Sequence, residues 1–392
     1  MTRRAGWIAA AAVALPALAY LAWKALFDRS DTVDFKYIWL AGHLWSQGID
    51  AYGPDFRATG EALFVGLNPP QTLFYPPNLW PVATAVAALP YAEAIPVWRA
   101  LNGAALVASV LIVAQAVRGV LGPGGPLRPA LAVAFAGAGT GAAVALSLGQ
   151  TSPLILFGLA LFVSLWLRQD RWTMVLALAI LAMKPNYGVA LAAFLLFDRR
   201  WWPSLAGGAA ATLACAAPVF WTHGIVTVIT EYLANVGQFG DHWANRPYSS
   251  TGLRNLLDLA FGWDLSPLTM VAVGVALLGA LGALDRGRMA PDGAQDPAPL
   301  CLAVCVAFFV APMHTYDAVL LAPVILLCRA LPVLSQAVVG LALLAILREA
   351  NLAQVLPAFG SGAENFPGTR IVSVATALAV LACALRGHAQ RR

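Results

Sequence analysis

The chain is apolar over most of its length, and its few polar interruptions are the first candidates for chemistry. Asp34 lies in the segment DTVDFKY of residues 31–37, directly after the first apolar block. A carboxylate beside a hydroxyl group can accept its proton while the hydroxyl oxygen attacks a carbon that is becoming positive. Asp34 is therefore a candidate general base. The alternative is a solvated loop acid, or a cap for the helix that follows.

Lys184 interrupts an apolar block in the sequence AMKPNY of residues 182–187. A charge at membrane depth is costly and usually faces a cavity or an ionic partner. Pro185 breaks a helix at this point, so free backbone amides could join the ammonium group in holding a phosphate. The alternative is a lysine at a helix end whose ammonium group reaches the membrane surface. Both remain open, because no acidic residue is near in sequence.

Other polar positions lie between apolar blocks. Gln150, in the GQTS turn of residues 149–152, could bind a sugar or a phosphate, or be part of a plain polar turn. His314 and Asp317, in the MHTYD segment of residues 313–317, could bind a phosphate or a sugar. A hydrogen-bonded cap between helices is the alternative for these two residues.

Arg254 follows the serine and threonine residues of the sequence SSTGLRN, residues 249–255. Ser250 or Thr251 could cap a helix that starts here. Arg254 would then lie in the first turns, where the helix dipole does not favour a cation. This placement indicates an anion ligand, with a surface charge as the alternative.

The composition requires these residues to be positioned by membrane helices. The chain is 60% hydrophobic and 11% charged, whereas soluble domains carry about 25% charged residues. Lipid must therefore be the main solvent. We predict an all-α, polytopic transmembrane helix bundle of roughly 11–13 membrane segments, formed by residues 1–392 as one domain. The net charge of +5 is modest and its arginines lie between apolar blocks, which argues against nucleic-acid binding.

The apolar blocks predict the spans individually. Three blocks, at 78–89, 172–183 and 186–197, are too short to cross a bilayer and indicate re-entrant or broken helices. The predicted full spans are 6–27, 96–117, 129–148, 152–167, 202–221, 266–284, 300–312, 316–331, 333–347 and 371–385.

Arginine clusters predict the orientation, because cytoplasmic loops are enriched in positive residues. The resulting topology places two long loops, 28–75 and 222–265, outside, and a flexible linker, 285–298, in the cytoplasm. Residues 37–45 indicate a helix that lies in the membrane interface. We expect a multi-pass membrane protein with its site on the non-cytoplasmic side.

Several chemistries are disfavoured by missing motifs. The sequence has no Walker loop, no glycine-rich dinucleotide motif and no HExxH. Cys301 and Cys305 have helical spacing but no companion ligand pattern, so no metal site and no cofactor are predicted. A multi-span enzyme without a nucleotide site would need a donor that is already activated within the bilayer.

In these features the chain resembles the polytopic glycosyltransferases of the GT-C class. It is most similar to glycosyltransferase family 87, the bacterial polyprenyl-phosphate-mannose-dependent mannosyltransferases. The resemblance covers about residues 5–350. The motifs that carry it, in chain order, are Asp34-Phe35-Lys36-Tyr37 with Gly48 and Tyr52, Tyr75-Pro76-Pro77, Gly149-Gln150, Lys184-Pro185, Ser250 with Gly252-Leu253, and Tyr316-Asp317.

The resemblance implies that Asp34 is the catalytic base and that Lys184 holds the donor phosphate. Tyr37 belongs to the same first-loop motif and is expected to bind substrate. Many GT-C enzymes carry adjacent acids and a metal ion. Here Asp31 and Asp34 are separated by two residues, so no metal ion is expected. The resemblance also implies that the sugar is mannose, and that the protein lies in a bacterial inner membrane with its site facing the periplasm.

These observations predict an integral-membrane hexosyltransferase. Its partners would be a polyprenyl-phosphate-linked sugar, a lipid or glycan acceptor and membrane lipids, with no nucleic acid. The alternatives are a secondary transporter or a lipid or glycolipid flippase, and a non-catalytic subunit of an envelope-assembly complex. The enzyme hypothesis requires five residues to line one outward-facing cavity: Asp34, Gln150, Lys184, Arg254 and His314.

Overall fold

The computed structural model describes residues 3–385 apart from 29, 31, 241–244, 286–294 and 357–367; residues 1–2 and 386–392 also lie outside the described part. Asp31 and most of the predicted linker at 285–298 therefore fall outside it. The described chain is helical, with a single isolated bridge between Thr251 and Met313. The fold class is thus confirmed as an all-α, polytopic helix bundle.

Nineteen α-helices follow one another in the described chain. The first ten are α1 (Arg3–Phe27), α2 (Val33–Ser46), α3 (Pro54–Leu63), α4 (Trp80–Ala87), α5 (Tyr91–Leu121), α6 (Leu127–Ala138), α7 (Thr140–Leu148), α8 (Ser152–Arg168), α9 (Met174–Leu181) and α10 (Pro185–Leu196). The remainder are α11 (Trp202–His223), α12 (Ile225–Gly240), α13 (Leu253–Phe261), α14 (Pro267–Asp285), α15 (Pro297–Val310), α16 (Ala322–Leu327), α17 (Val333–Leu347), α18 (Glu349–Val355) and α19 (Thr369–Ala384).

Fewer helices than predicted are long enough to cross a membrane. Among the described residues, α1, α5, α14 and the segment Arg199–His223 are long and apolar enough, and bent pairs raise the number to at most six. The other apolar helices are shorter or interrupted. One such interruption is Gly139, where α6 and α7 meet at an angle of 42°. The predicted count of 11–13 membrane segments also included such shorter and interrupted helices.

The predicted span at 316–331 is not a regular α-helix. It begins as a 3-10 helix, Thr315–Leu321, continues as α16, and ends in another 3-10 turn, Cys328–Ala330. By contrast, the predicted pair of short helices around Lys184 is present as α9 and α10. Irregular backbone within such a bundle is tolerated where it is buried in protein or lines a cavity.

The predicted outer loop at 28–75 folds into a layer of helices with its own hydrophobic cluster. Helix α2 was expected to lie in the membrane interface, but most of its residues are buried against protein. Phe35 stacks on Trp98 of α5 and on Tyr91, with ring centroids 5.2 and 5.9 Å apart. The segment of α2 next to Asp34 is therefore held by aromatic packing.

The predicted outer loop at 222–265 is also largely helical, since it contains α12 and α13. The predicted cap of α13 by Ser250 or Thr251 is wrong. Gly252 precedes the helix with φ +84°, and no side chain caps it. A Cβ atom there would lie 2.2 Å from the carbonyl oxygen of Phe309, so a glycine is required where two backbone segments meet.

Gly42 sets the position of α2 in the same way. A Cβ atom at this residue would lie 2.0 Å from the carbonyl oxygen of Ala83 in α4. We expect Gly42→Ala to separate the two helices and to lower the free energy of unfolding by about 1–3 kcal/mol. Thermal unfolding of the purified protein measures this. Gly119→Ala, in α5 with no atom within 4 Å, is the control and should not lower the melting temperature.

Candidate active site

Asp34 lies in the first turn of α2, where the outer layer meets the helix bundle. Its Oδ2 accepts a hydrogen bond of 2.6 Å from the side-chain amide of Gln150. Protein surrounds the carboxyl group, although the residue keeps some exposed surface towards a cavity. The structure therefore brings together two predicted site residues that are 116 positions apart in the chain.

The environment of Asp34 changes its protonation. Burial raises the pKa of this carboxyl to about 7, while the hydrogen bond from Gln150 and the positive charge of Lys184 act to lower it. The negative charge of Asp317 acts to raise it. A carboxyl group with a pKa near 7 is suited to take up and release a proton at neutral pH.

The backbone next to Gln150 is fixed by helix α5. The indole N–H of Trp98 donates to the carbonyl oxygen of Gly149 at 2.9 Å, and Asn102 donates to that of Gln150 at 3.3 Å. Gly149 ends α7 with φ +72°, and a Cβ atom on it would lie 2.6 Å from Cβ of Phe35. The close contact with α2 therefore depends on a glycine at this turn.

Lys184 occupies the break between α9 and α10, as the residue before Pro185. Its ammonium group forms an ion pair with Oδ1 of Asp317, which is buried. Ser152 of α8 donates to the same oxygen, and the backbone N–H of His314 donates to Oδ2 at 3.1 Å. The acidic partner that the sequence around Lys184 lacks thus comes from a segment 133 residues away.

His314 and Arg254 lie in the wall of the same region and are already hydrogen-bonded. The Nδ1 of His314 lies 3.1 Å from the carbonyl oxygen of Ser249. Burial lowers the pKa of His314, so its ring is neutral at neutral pH. The guanidinium group of Arg254 donates to Asp264 at 2.7 Å and to the carbonyl oxygen of Asn245 at 2.6 Å.

Six of these side chains line one cavity of about 400 Å³, a size typical of ligand sites. The lining includes Asp34, Gln150, Lys184, Arg254, His314 and Asp317. Tyr37 does not line the cavity. Its ring packs on that of Phe74, which does. The predicted residues therefore converge in space, and their chemical roles remain predictions.

The cavity also has apolar lining residues. They include Tyr232 and Val236 of α12 and Leu268 and Val271 of α14. Helix α12 also exposes an apolar face that contains Ile225, Ile229, Leu233 and Val236. The polar groups thus meet an apolar surface at the edge of the protein.

Sequence reasoning gave too little weight to Tyr75, and it missed Asn186 and Tyr232, which also line the cavity. The hydroxyl group of Tyr75 is buried and has no hydrogen-bond partner among the residues that the structure describes. In the sequence, Tyr75 is notable only as part of the Tyr75-Pro76-Pro77 motif, which by itself assigns no role to the tyrosine. Asn186 follows Lys184 and Pro185 directly, so proximity to the charge was an available signal. Tyr232 gave none, because its helix was predicted as loop.

Cysteines form the one cluster among the described residues whose ligand atoms lie close enough to hold a metal ion. Cys301, Cys305 and Cys383 have their sulfur atoms within 4.8 Å of one another. Cys383 supplies the companion that the sequence pattern lacked, because α19 packs beside α15. None of these cysteines lines the cavity that contains Asp34.

Because Lys184 and Asp317 form an ion pair, the effects of replacing each residue on the stability of the protein should depend on whether the other is present. Removing one partner leaves an uncompensated charge in a largely buried place, which costs about 3–5 kcal/mol in buried pairs. We expect Asp317→Asn to lower the melting temperature of the purified protein clearly. Lys184→Met in the Asp317→Asn background should restore part of that loss. Additive losses in the double variant would contradict a direct interaction.

Comparison with known sequences gives one family. The sequence model of glycosyltransferase family 87 matches residues 73–315, which include Gln150, Lys184, Arg254 and His314. Comparisons with curated proteins and with solved structures give no match.

Proposed function

Because this chain belongs to glycosyltransferase family 87, we propose that it transfers a hexose, most specifically mannose, from a polyprenyl phosphate to a hydroxyl group. The acceptor would be a lipid-linked or periplasmic glycan or glycolipid. The observation that carries this proposal is the cavity itself, whose lining combines Asp34 and Lys184 with apolar side chains of α12 and α14. Membership of a glycosyltransferase family argues against the transporter and flippase alternatives.

Asp34 is the proposed base. In the transfer, the acceptor oxygen forms a bond to the anomeric carbon of the donor, and its proton passes to the carboxylate of Asp34. The bond between the anomeric carbon and the phosphate oxygen breaks, and the electron pair leaves with the lipid phosphate. A single base is sufficient for a one-step displacement that inverts the anomeric centre.

Lys184 is the proposed ligand of the leaving phosphate. An ammonium group has three N–H donors, and Asp317 accepts from one of them. The remaining donors are available to the phosphate, where charge builds up as the bond breaks. The unpartnered hydroxyl group of Tyr75 is a further donor that we assign to the sugar or the phosphate. Arg254 and His314 contribute hydrogen bonds at the wall.

The apolar lining of the cavity supports a donor that carries a lipid. Helices α12 and α14 contribute Tyr232, Val236, Leu268 and Val271 to the cavity lining, and these side chains suit a hydrocarbon chain better than a nucleotide. Trp221 is 93% exposed at the nearby end of α11, and Leu268 is 78% exposed. A polyprenyl chain could therefore remain in the membrane while its sugar phosphate reaches Lys184.

The site is proposed to face the periplasm of a bacterial inner membrane. Helix α1 starts next to Arg4 and ends before the layer that carries Asp34. Arg118 at the end of α5 and Arg168 at the end of α8 lie on the same side as Arg4 in this arrangement. Positive residues favour the cytoplasmic side, which leaves Asp34 outside.

Replacement of the proposed base tests the reaction. We expect Asp34→Asn to lower the transfer of labelled mannose from polyprenyl-phosphate-mannose to lipid acceptors by about 100-fold or more. Asp55→Asn, an exposed acid in α3 of the same outer layer, should leave transfer unchanged. Equal activity of Asp34→Asn and wild type would exclude Asp34 as the base. Wild-type activity with polyprenyl-phosphate-glucose alone would exclude mannose.

The pH dependence provides a second test. Asp34 accepts a proton only when ionised, and burial places its pKa at about 7. We therefore expect kcat/KM to rise with pH below about 7 and to level off above it. Gln150→Leu removes a hydrogen bond that lowers this pKa, so the midpoint should move to higher pH. A flat profile in wild type, or a midpoint that moves down in the variant, would contradict this assignment.

A further inference from the structure

A second cavity lies at the end of the bundle opposite Asp34. Its volume is about 370 Å³, and its wall includes Trp7 near the start of α1. Asp34 lies beyond the other end of that helix. None of the described residues lines both this cavity and the one that contains Asp34, so the two cavities are separate.

Three arginines line this cavity together with apolar side chains. Arg118 ends α5, Arg128 is in the first turn of α6, and Arg329 lies in the 3-10 turn after α16. The apolar part of the wall includes Leu111 and Leu326. A cluster of guanidinium groups thus borders an apolar surface, which is the distribution of polarity found in a lipid with an anionic head group.

None of the three guanidinium groups has a carboxylate partner within the described part of the chain. The cavity wall contains no Asp or Glu residue, and none of the ion pairs there includes these arginines. Arg329 donates to the carbonyl oxygens of Leu121 and Gly122, each at 3.3 Å. Arg128 donates to Gln336. Among the described residues, the three guanidinium groups therefore have neutral acceptors but no carboxylate to balance their charge.

We propose that this cavity binds the phosphate group of an anionic membrane phospholipid, with an acyl chain along Leu111 and Leu326. Guanidinium groups bind phosphate oxygens in a planar, two-pronged geometry. Basic pockets between membrane helices are suited to anionic head groups. The bound lipid would compensate charge where α5, α6 and α16 meet, and its function is separate from that of the substrates.

Native mass spectrometry of the purified full chain tests this proposal, with phosphatidylglycerol as the probe and phosphatidylcholine as the zwitterionic comparison. We expect wild type to retain one phosphatidylglycerol per chain in preference to phosphatidylcholine. Arg118→Gln with Arg128→Gln should weaken this binding by at least about tenfold. Arg168→Gln with Arg171→Gln removes the same charge from exposed arginines outside the cavity and should have no effect.

Further measurements separate the proposal from misfolding and from other phosphates. Arg118→Lys with Arg128→Lys keeps the charge and should retain most of the binding, whereas loss in this variant as large as in the glutamine variant would overturn a role for charge. Equal losses in the control pair, or equal retention of both lipids by wild type, would also overturn the proposal. Full displacement of phosphatidylglycerol by inorganic phosphate would overturn the proposal, because the cavity would then bind phosphate without a lipid. Full displacement by a polyprenyl phosphate would overturn it too, because the natural ligand would then be a different lipid.

Discussion

The ion pair between Lys184 and Asp317 is the interaction on which the rest of the site depends. Two charges in an apolar bundle are tolerable only when each has partners, and here the ion pair and its hydrogen-bond partners come from three parts of the chain. Lys184 lies at the break before α10, Ser152 starts α8, and His314 and Asp317 belong to the segment after α15. The irregular backbone of these regions is thus gathered around one charged centre.

The outer layer adds a second constraint by holding Asp34 against this centre. Phe35 is enclosed by aromatic rings, and Gly149 allows the turn that carries Gln150 to touch α2. The cavity wall is joined to the same layer, because the Tyr52 hydroxyl donates to the carbonyl oxygen of Tyr75 and Asn235 of α12 donates to that of Tyr52. Tyr75 and α12 are therefore both hydrogen-bonded to Tyr52 of the outer layer.

The sequence was sufficient for features that are local and failed for those that are tertiary. Few charges in a long apolar chain specify membrane helices, and Pro185 beside Lys184 specifies a break. The interruption by 3-10 helix after His314 was not predictable, because the apolar pattern of residues 316–331 also suits a regular helix. Asp317 as partner of Lys184 required the fold, since 133 residues separate them. Helix α12 was missed because its polar residues resembled those of a loop.

The exposed apolar face of α12 affects how the proposed lipid-linked donor would be supplied. A donor that reaches the cavity from the membrane is supplied by lateral diffusion in two dimensions, so its availability depends on its mole fraction among the surrounding lipids. Diluting the bilayer with inert lipid would slow transfer even when the amounts of protein and donor per volume are constant. An acceptor dissolved in water would not be affected in this way. For the proposed lipid-linked donor, the exposed face of this amphipathic helix would thus link the rate of transfer to the composition of the membrane.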